Sequence, residues 1–350
     1  MKKFVSILLI LSMVFVISTS SFALQSIDIG QNVANYNAKI VEKVIGTSKI
    51  DKNIKENTKY YSIDLGDVDY IIPRSGDEVI SFKGEAFGII KKTLPKDFSD
   101  IKSVQTSNGT IVYNSNRSSM ALSVQVIEEP VDFSYIQSTV ILKDFSAPKS
   151  FSYQYNLPEG YQLVRDSEYG LESGKQSTGA IFVVNAYNEV INVIELMPAV
   201  DANGKKVEAD YVLKDTTLSM RIKPDTNTTY PIIVPLVDHP NRIKTTYMTK
   251  SEVLDVRNKF KTSTESNAFS YLISVVLSLV KDMSIVGIAW GTVTFMGTQY
   301  NSKKFETWDK FYVEFKKNYA KIDATYKWHP GQRSYYPTGS LKCTYVAGKS

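Results

Sequence analysis

Side chains suited to acid–base, nucleophilic or metal chemistry are sparse in this sequence of 350 residues, which holds two histidines and one cysteine. His239 sits in Asp238-His239-Pro240 and His329 in Trp328-His329-Pro330. A neighbouring proline marks a turn, so each imidazole is expected at the surface rather than in a catalytic pair. Metalloproteases, serine hydrolases and calcium loops hold their groups at fixed spacings, and neither H-E-x-x-H, nor a nucleophile elbow, nor a calcium loop occurs. Cys343 stands alone, which excludes an intramolecular disulfide and a thiolate zinc site and suits a small apolar strand residue. Two stretches imitate a phosphate-binding loop and fail. Tyr169 occupies the upstream glycine position of Gly174-Lys175, and Cys343 that of Gly348-Lys349-Ser350. Carboxylate pairs for glycoside hydrolysis are defined by separation in space, which a sequence does not display, so a hydrolase ranks behind the non-enzymatic readings. No cofactor, metal, nucleotide or nucleic acid is expected, the basic residues near the C-terminus being interleaved with acidic ones.

The stretch that departs most from an ordinary soluble domain runs from Ala268 to Gly297, where thirty residues carry one adjacent charge pair, Lys281 and Asp282. Each flanking apolar run is shorter than the roughly 20 residues that cross a bilayer. The pattern predicts two helices meeting at the pair, with Lys281 at the C-terminal end of the first and Asp282 capping the second. On this helical hairpin Ser270, Ser274 and Ser278 stack along one face, while Gly287 and Gly291 form a G-x-x-x-G around Trp290. These residues, with Lys281 and Asp282, are the candidate helix-contact or membrane-contact set. The same small-residue faces serve association in a bilayer and packing of two core helices in water, so both readings stand.

Farther on, Phe305, Trp308, Phe311, Tyr312, Phe315 and Tyr319 recur at three- and four-residue steps with lysines between them, Lys316 and Lys317 included. This spacing predicts an amphipathic helix with an aromatic face. At a membrane its rings would lie at headgroup depth and its lysines would meet anionic lipid, and in a soluble protein the aromatic face would lie on a core.

These candidates need elements to position them. Lys2 and Lys3, the apolar run Phe4 to Ile17 and Ser21-Phe22-Ala23 predict a signal peptide over 1–23, hence a secreted protein, free or loosely held at the wall or membrane. The formal charge of +5 falls by two once Lys2 and Lys3 are removed, and from Thr298 onward basic residues exceed acidic ones by six. Residues 24–59 read as an amphipathic helix over Gln31 to Gly46 and a linker, with Val33, Tyr36, Ile40, Val41, Val44 and Ile45 near helical spacing. From 60 to 240 short β-branched or alternating runs, such as Ala121 to Ile127 and Val190 to Leu196, are broken by turn residues, which predicts an antiparallel sandwich. Residues 241–300 read as a polar connection leading into the hydrophobic hairpin, and 301–350 as the aromatic helix followed by two strands. The expected class is mainly β with an N-terminal helix, a C-terminal helical hairpin and an amphipathic helix.

Within the sandwich region, Val140 to Val164 and Gly179 to Leu236 carry an Asp201-Ala202-Asn203-Gly204 turn and a strand opening with Tyr230-Pro231. This resembles a β-rich module of secreted Gram-positive proteins in which a turn of that composition precedes a closing strand with a Tyr-Pro start. Here Val234-Pro235-Leu236 stands where the group has Asp-Pro. The resemblance implies a β fold and export, and some related segments precede toxin-like C-terminal regions; it implies no chemistry. Together these readings predict a secreted, non-enzymatic, bacteriocin-like protein that engages an anionic membrane, or a second copy of itself, through the hairpin. The competing reading is an extracellular binding or structural protein in which the same stretch is core.

Overall fold

The structure is a computed structural model that describes residues 30–43, 50–129, 133–169, 177–264, 267–268, 271–272, 275, 292–295, 298–300, 305–313, 319–331 and 333–346. Helix α1, residues 30–43, is followed by β1 (Lys55–Glu56), β2 (Tyr60–Asp64), β3 (Val68–Pro73), β4 (Val79–Gly84) and β5 (Gly88–Thr93). Next come β6 (Ser103–Gln105), β7 (Ile111–Asn114), β8 (Met120–Glu129), β9 (Phe133–Leu142), β10 (Ser150–Asn156), β11 (Gln162–Arg165), β12 (Ile181–Val184) and β13 (Val190–Leu196). Then β14 (Ala199–Val200), β15 (Lys206–Lys214), β16 (Thr217–Lys223) and β17 (Ile232–Pro240) complete a hydrogen-bonded network of 17 strands. The C-terminal part comprises β18 (Arg242–Thr249), α2 (Lys250–Thr262), β19 (Thr292–Phe295), β20 (Thr298–Tyr300), α3 (Phe305–Val313), β21 (Tyr319–His329) and β22 (Ser334–Val346).

The 17 strands form two antiparallel walls. One runs β6-β7-β8-β9-β17-β13-β12-β11, and the other β1-β2-β3-β4-β5-β10-β16-β15, with β14 joining β15 to β17 at a corner. Alternation explains the filling between them: in β10, Phe151, Tyr153 and Tyr155 point inward, while Ser152 and Gln154 point away. These rings join Ile80, Phe82, Ile90, Leu122, Val140, Ile194 and Leu236 in the main core.

The expected C-terminal helical hairpin is corrected here. Thr292–Phe295, placed by hydropathy inside its second helix, is a strand that pairs in parallel with Ser340 to Cys343 of β22. A Thr-Val-Thr-Phe run has the β-branched and aromatic character of strands, and an open edge on β22 gives it hydrogen bonds that a lone helix end lacks. α-Helix among the described residues is confined to α1, α2, α3 and the positions 267–268, 271–272 and 275, and the described chain is nearly all sheet. The polar connection expected after 240 is also structured, since β18 pairs along its whole length with β21. In α1 the expected apolar face is only partly inward: Val41 is buried, Val33 and Ile40 are half-buried, and Val44 and Ile45 lie outside the described residues. Ala34, Ala38 and Val41 are buried against Val112, Ala121, Ile141 and Ile233, while Tyr36 is 65% exposed.

A second core lies between the outer face of the first network and the five-stranded sheet β18-β21-β22-β19-β20. Phe133, Val184, Val190 and Val193 from the first network meet Met248, Ile322, Tyr326, Trp328, Tyr335 and Cys343 from the second. α2 packs into the same core. Thr249 and Glu252 form a reciprocal capping box at its start, and Val253, Val256 and Phe260 fall on one buried face. β17 serves both cores, and all nine of its residues are buried.

Candidate functional site

The alternation of β17 sends Asp238 into the main core and His239 into the second, so two polar clusters sit back to back on one strand. In the main core, β13 places Asn192 opposite Pro240 and therefore on the same face as Asp238. From the facing wall, β5 contributes Lys92, which is paired with Tyr155 of β10. Lys92 Nζ donates to Asp238 Oδ2 at 2.5 Å, while Tyr155 Oη at 3.0 Å and Asn192 Nδ2 at 3.1 Å donate to Oδ1. Lys92, Asn192 and Asp238 are each 0% exposed. Lys92 Nζ also lies 5.5 Å from the centre of the Tyr153 ring. Burial pushes the Tyr155 phenol well above its ordinary range and the Asp238 charge adds to that, so Tyr155 is a fixed donor. The Asn192 Oδ1 has no hydrogen-bond partner among the described residues.

In the second core, His239 Nε2 donates to Glu195 Oε2 at 3.2 Å, and its ring stacks on Trp328 with centroids 4.0 Å apart and planes within 1°. Desolvation lowers the His239 pKa from its ordinary value of 6.5 despite the Glu195 carboxylate, leaving a neutral imidazole. Burial raises the Glu195 pKa, but the His239 hydrogen bond and nearby positive charge outweigh it and hold the carboxyl below 4.5. The expectation of a surface His239 is therefore corrected: the residue is 2% exposed, because Pro240 ends a central strand here instead of making a surface turn.

Where the two sheets meet at the surface, a polar cleft of about 580 Å³ opens between the β2–β3 and β4–β5 turns on one side and β18 and β21 on the other. Asp67, Asp69, Lys83 and Glu85 face Lys244, Lys321 and Asp323. Most of these charges are committed. Arg242, buried beneath the cleft, grips Asp67 through Nε at 2.9 Å and Nη2 at 2.5 Å, and the Ile243 amide adds a bond at 2.8 Å. Lys342 reaches Glu85 at 2.8 Å, and Asp323 accepts from Thr245 at 2.5 Å with Lys321 3.1 Å away. Two of the four carboxylates, Asp67 and Glu85, thus hold the two sheets together, and Asp323 is bound within the second sheet; the arrangement suits clamping rather than the free acid–base pair of a glycosidase. No group of three or more metal-ligating side chains occurs among the described residues.

Of the residues singled out in the sequence, Ser270, Ser274, Ser278, Lys281, Asp282, Gly287, Trp290, Gly291, Phe315, Lys316 and Lys317 lie outside the described residues. Phe305 opens α3. Trp308 and Phe311 are 0% and 2% exposed and pack on the second core with Phe260, Ala268 and Leu272. Tyr312 is half-buried, with the Lys250 ammonium 5.3 Å and the Arg257 guanidinium 5.4 Å from its ring centre. Arg257 also binds Asp309 through Nε at 2.5 Å, locking α2 to α3. No described helix is long and apolar enough to cross a membrane. Lys92, Asn192 and Asp238 carry no local motif; one available signal was a lysine within the apolar alternation of β5, facing the core instead of solvent. Compared with family models, curated proteins and solved structures, the chain matches none.

Proposed function

We propose that the chain is an extracellular binding or structural protein in which the aromatic helix α3 is part of a folded core and whose polar cleft is its contact surface for a polar ligand. The observation that carries this reading is the burial of Trp308 and Phe311, two rings of the helix expected to meet lipid, against Phe260, Ala268 and Leu272. A ring already desolvated in protein gains nothing by entering a headgroup layer, so membrane binding would first require the helix to detach. The leader pattern over Lys2 to Ala23 supports export. In the cleft, Asp69 and Lys83 are exposed and opposite in charge, which suits a ligand with both donors and acceptors.

Dye-loaded vesicles of anionic or neutral lipid, mixed with purified folded protein, test this directly. No release above the buffer control is expected for either composition. Release that rises with anionic lipid and with protein concentration would overturn the proposal in favour of a membrane-active protein.

A further inference from the structure

The Lys92, Asn192 and Asp238 cluster holds the reactants of an amide-forming condensation in a water-excluded core. Lys92 supplies a primary amine from one wall, Asn192 supplies a carboxamide from the other, and each nitrogen touches a different oxygen of the Asp238 carboxylate. We propose that Lys92 Nζ and Asn192 Cγ become joined by an intramolecular amide bond, with Asp238 as the catalytic residue that moves the proton.

The step balances within these three side chains. The Lys92 ammonium gives one proton to Asp238 Oδ2, and the neutral amine attacks Asn192 Cγ. Asp238 returns that proton to Nδ2, the Cγ–Nδ2 bond breaks as the Nζ–Cγ bond forms, and of the two protons left on Nζ one leaves with ammonia as ammonium and the other stays as the new amide N–H. Asp238 ends as it began, a carboxylate, and neither oxidant nor metal is consumed. Exclusion of water removes the competing hydrolysis of the carboxamide. Fixing three groups on paired strands of facing walls replaces an encounter by a held geometry. The Asn192 Oδ1, without a partner among the described residues, leaves its carboxamide anchored through the nitrogen that must depart. The product bonds β5 to β13 and so ties the two walls covalently across the core.

The full-length folded protein, digested under denaturing conditions and analysed by mass spectrometry, decides the matter. A peptide pair joined through Lys92 and Asn192, lighter than its two parts by one ammonia, is expected. On denaturing gels the chain should migrate faster than Lys92→Arg or Asp238→Asn, both of which should lack the joined pair. Because the first observation needs no variant, misfolding of either substitution does not blunt the test. Recovery of separate, unmodified Lys92 and Asn192 peptides from folded protein would overturn the proposal. So would a Lys92–Asp238 link that has lost water, since it makes Asp238 the acceptor and not the catalyst.

Discussion

At the scale of single residues, β17 decides the chemistry, because consecutive positions deliver a carboxylate to one core and an imidazole to the other. The neutral His239 has a consequence for stability. Its folded pKa lies below 6.5, so the folded state binds fewer protons than the unfolded one, and stability is lost as pH falls through the unfolded value. Glu195, held below 4.5 in the fold, adds a loss of the same sign at lower pH. Melting temperature should therefore fall between about pH 7 and pH 5, and His239→Phe should flatten that dependence. A melting temperature that does not change over this interval would contradict a buried neutral imidazole. None of this was legible from Asp238-His239-Pro240 alone, since a proline reads as a turn whether it ends a surface loop or a central strand. The Lys92 and Asp238 pair was equally hidden. Its members lie 146 residues apart, and Asn192 lies 46 from Asp238, so only the strand order brings them together.

Among the elements, α3 shows what periodicity does and does not carry. The three- and four-residue spacing of its aromatics marks a helix with one apolar face, and Phe305–Val313 is helical. What that face meets is a tertiary matter, and it meets Phe260 of α2, whose ring centre is 6.2 Å from that of Trp308. Trp308→Ala should cost about 3–5 kcal/mol in denaturant unfolding, the range for deleting a buried large aromatic. A loss below about 1 kcal/mol would mean that α3 is peripheral. The strand Thr292–Phe295 is the opposite case. It lies within an apolar run whose hydropathy does not distinguish a buried strand from a buried helix, and its pairing with β22 across the sequence settled the matter. Strand texture over the first network was far more readable: the β-branched run Val190–Leu196 is a strand with those bounds, although Val190 to Ile194 are buried on both faces instead of alternating.

For the whole molecule, two cores sharing one strand should behave as one cooperative body. Arg242 is the hinge pin of that arrangement, reaching Asp67 in the first network and donating to Ser134 O at 3.0 Å and Oγ at 2.6 Å. Asp67→Ala would strand a buried guanidinium. Its cost should sit near the lower end of the roughly 3–5 kcal/mol typical of broken buried pairs, because the Ser134 acceptors remain. Equilibrium unfolding would show this as an earlier midpoint, and an unchanged midpoint would contradict the clamp. The seam was not legible in the sequence, since Asp67 and Arg242 lie 175 residues apart. An extracellular binding or structural role requires that the aromatic helix belong to the folded body. Hydrogen exchange of the Trp308 to Tyr312 amides, followed in buffer and again with anionic vesicles, measures it. Strong protection that is the same in both conditions is the predicted result, and rapid exchange in buffer with protection gained only on vesicles would contradict it.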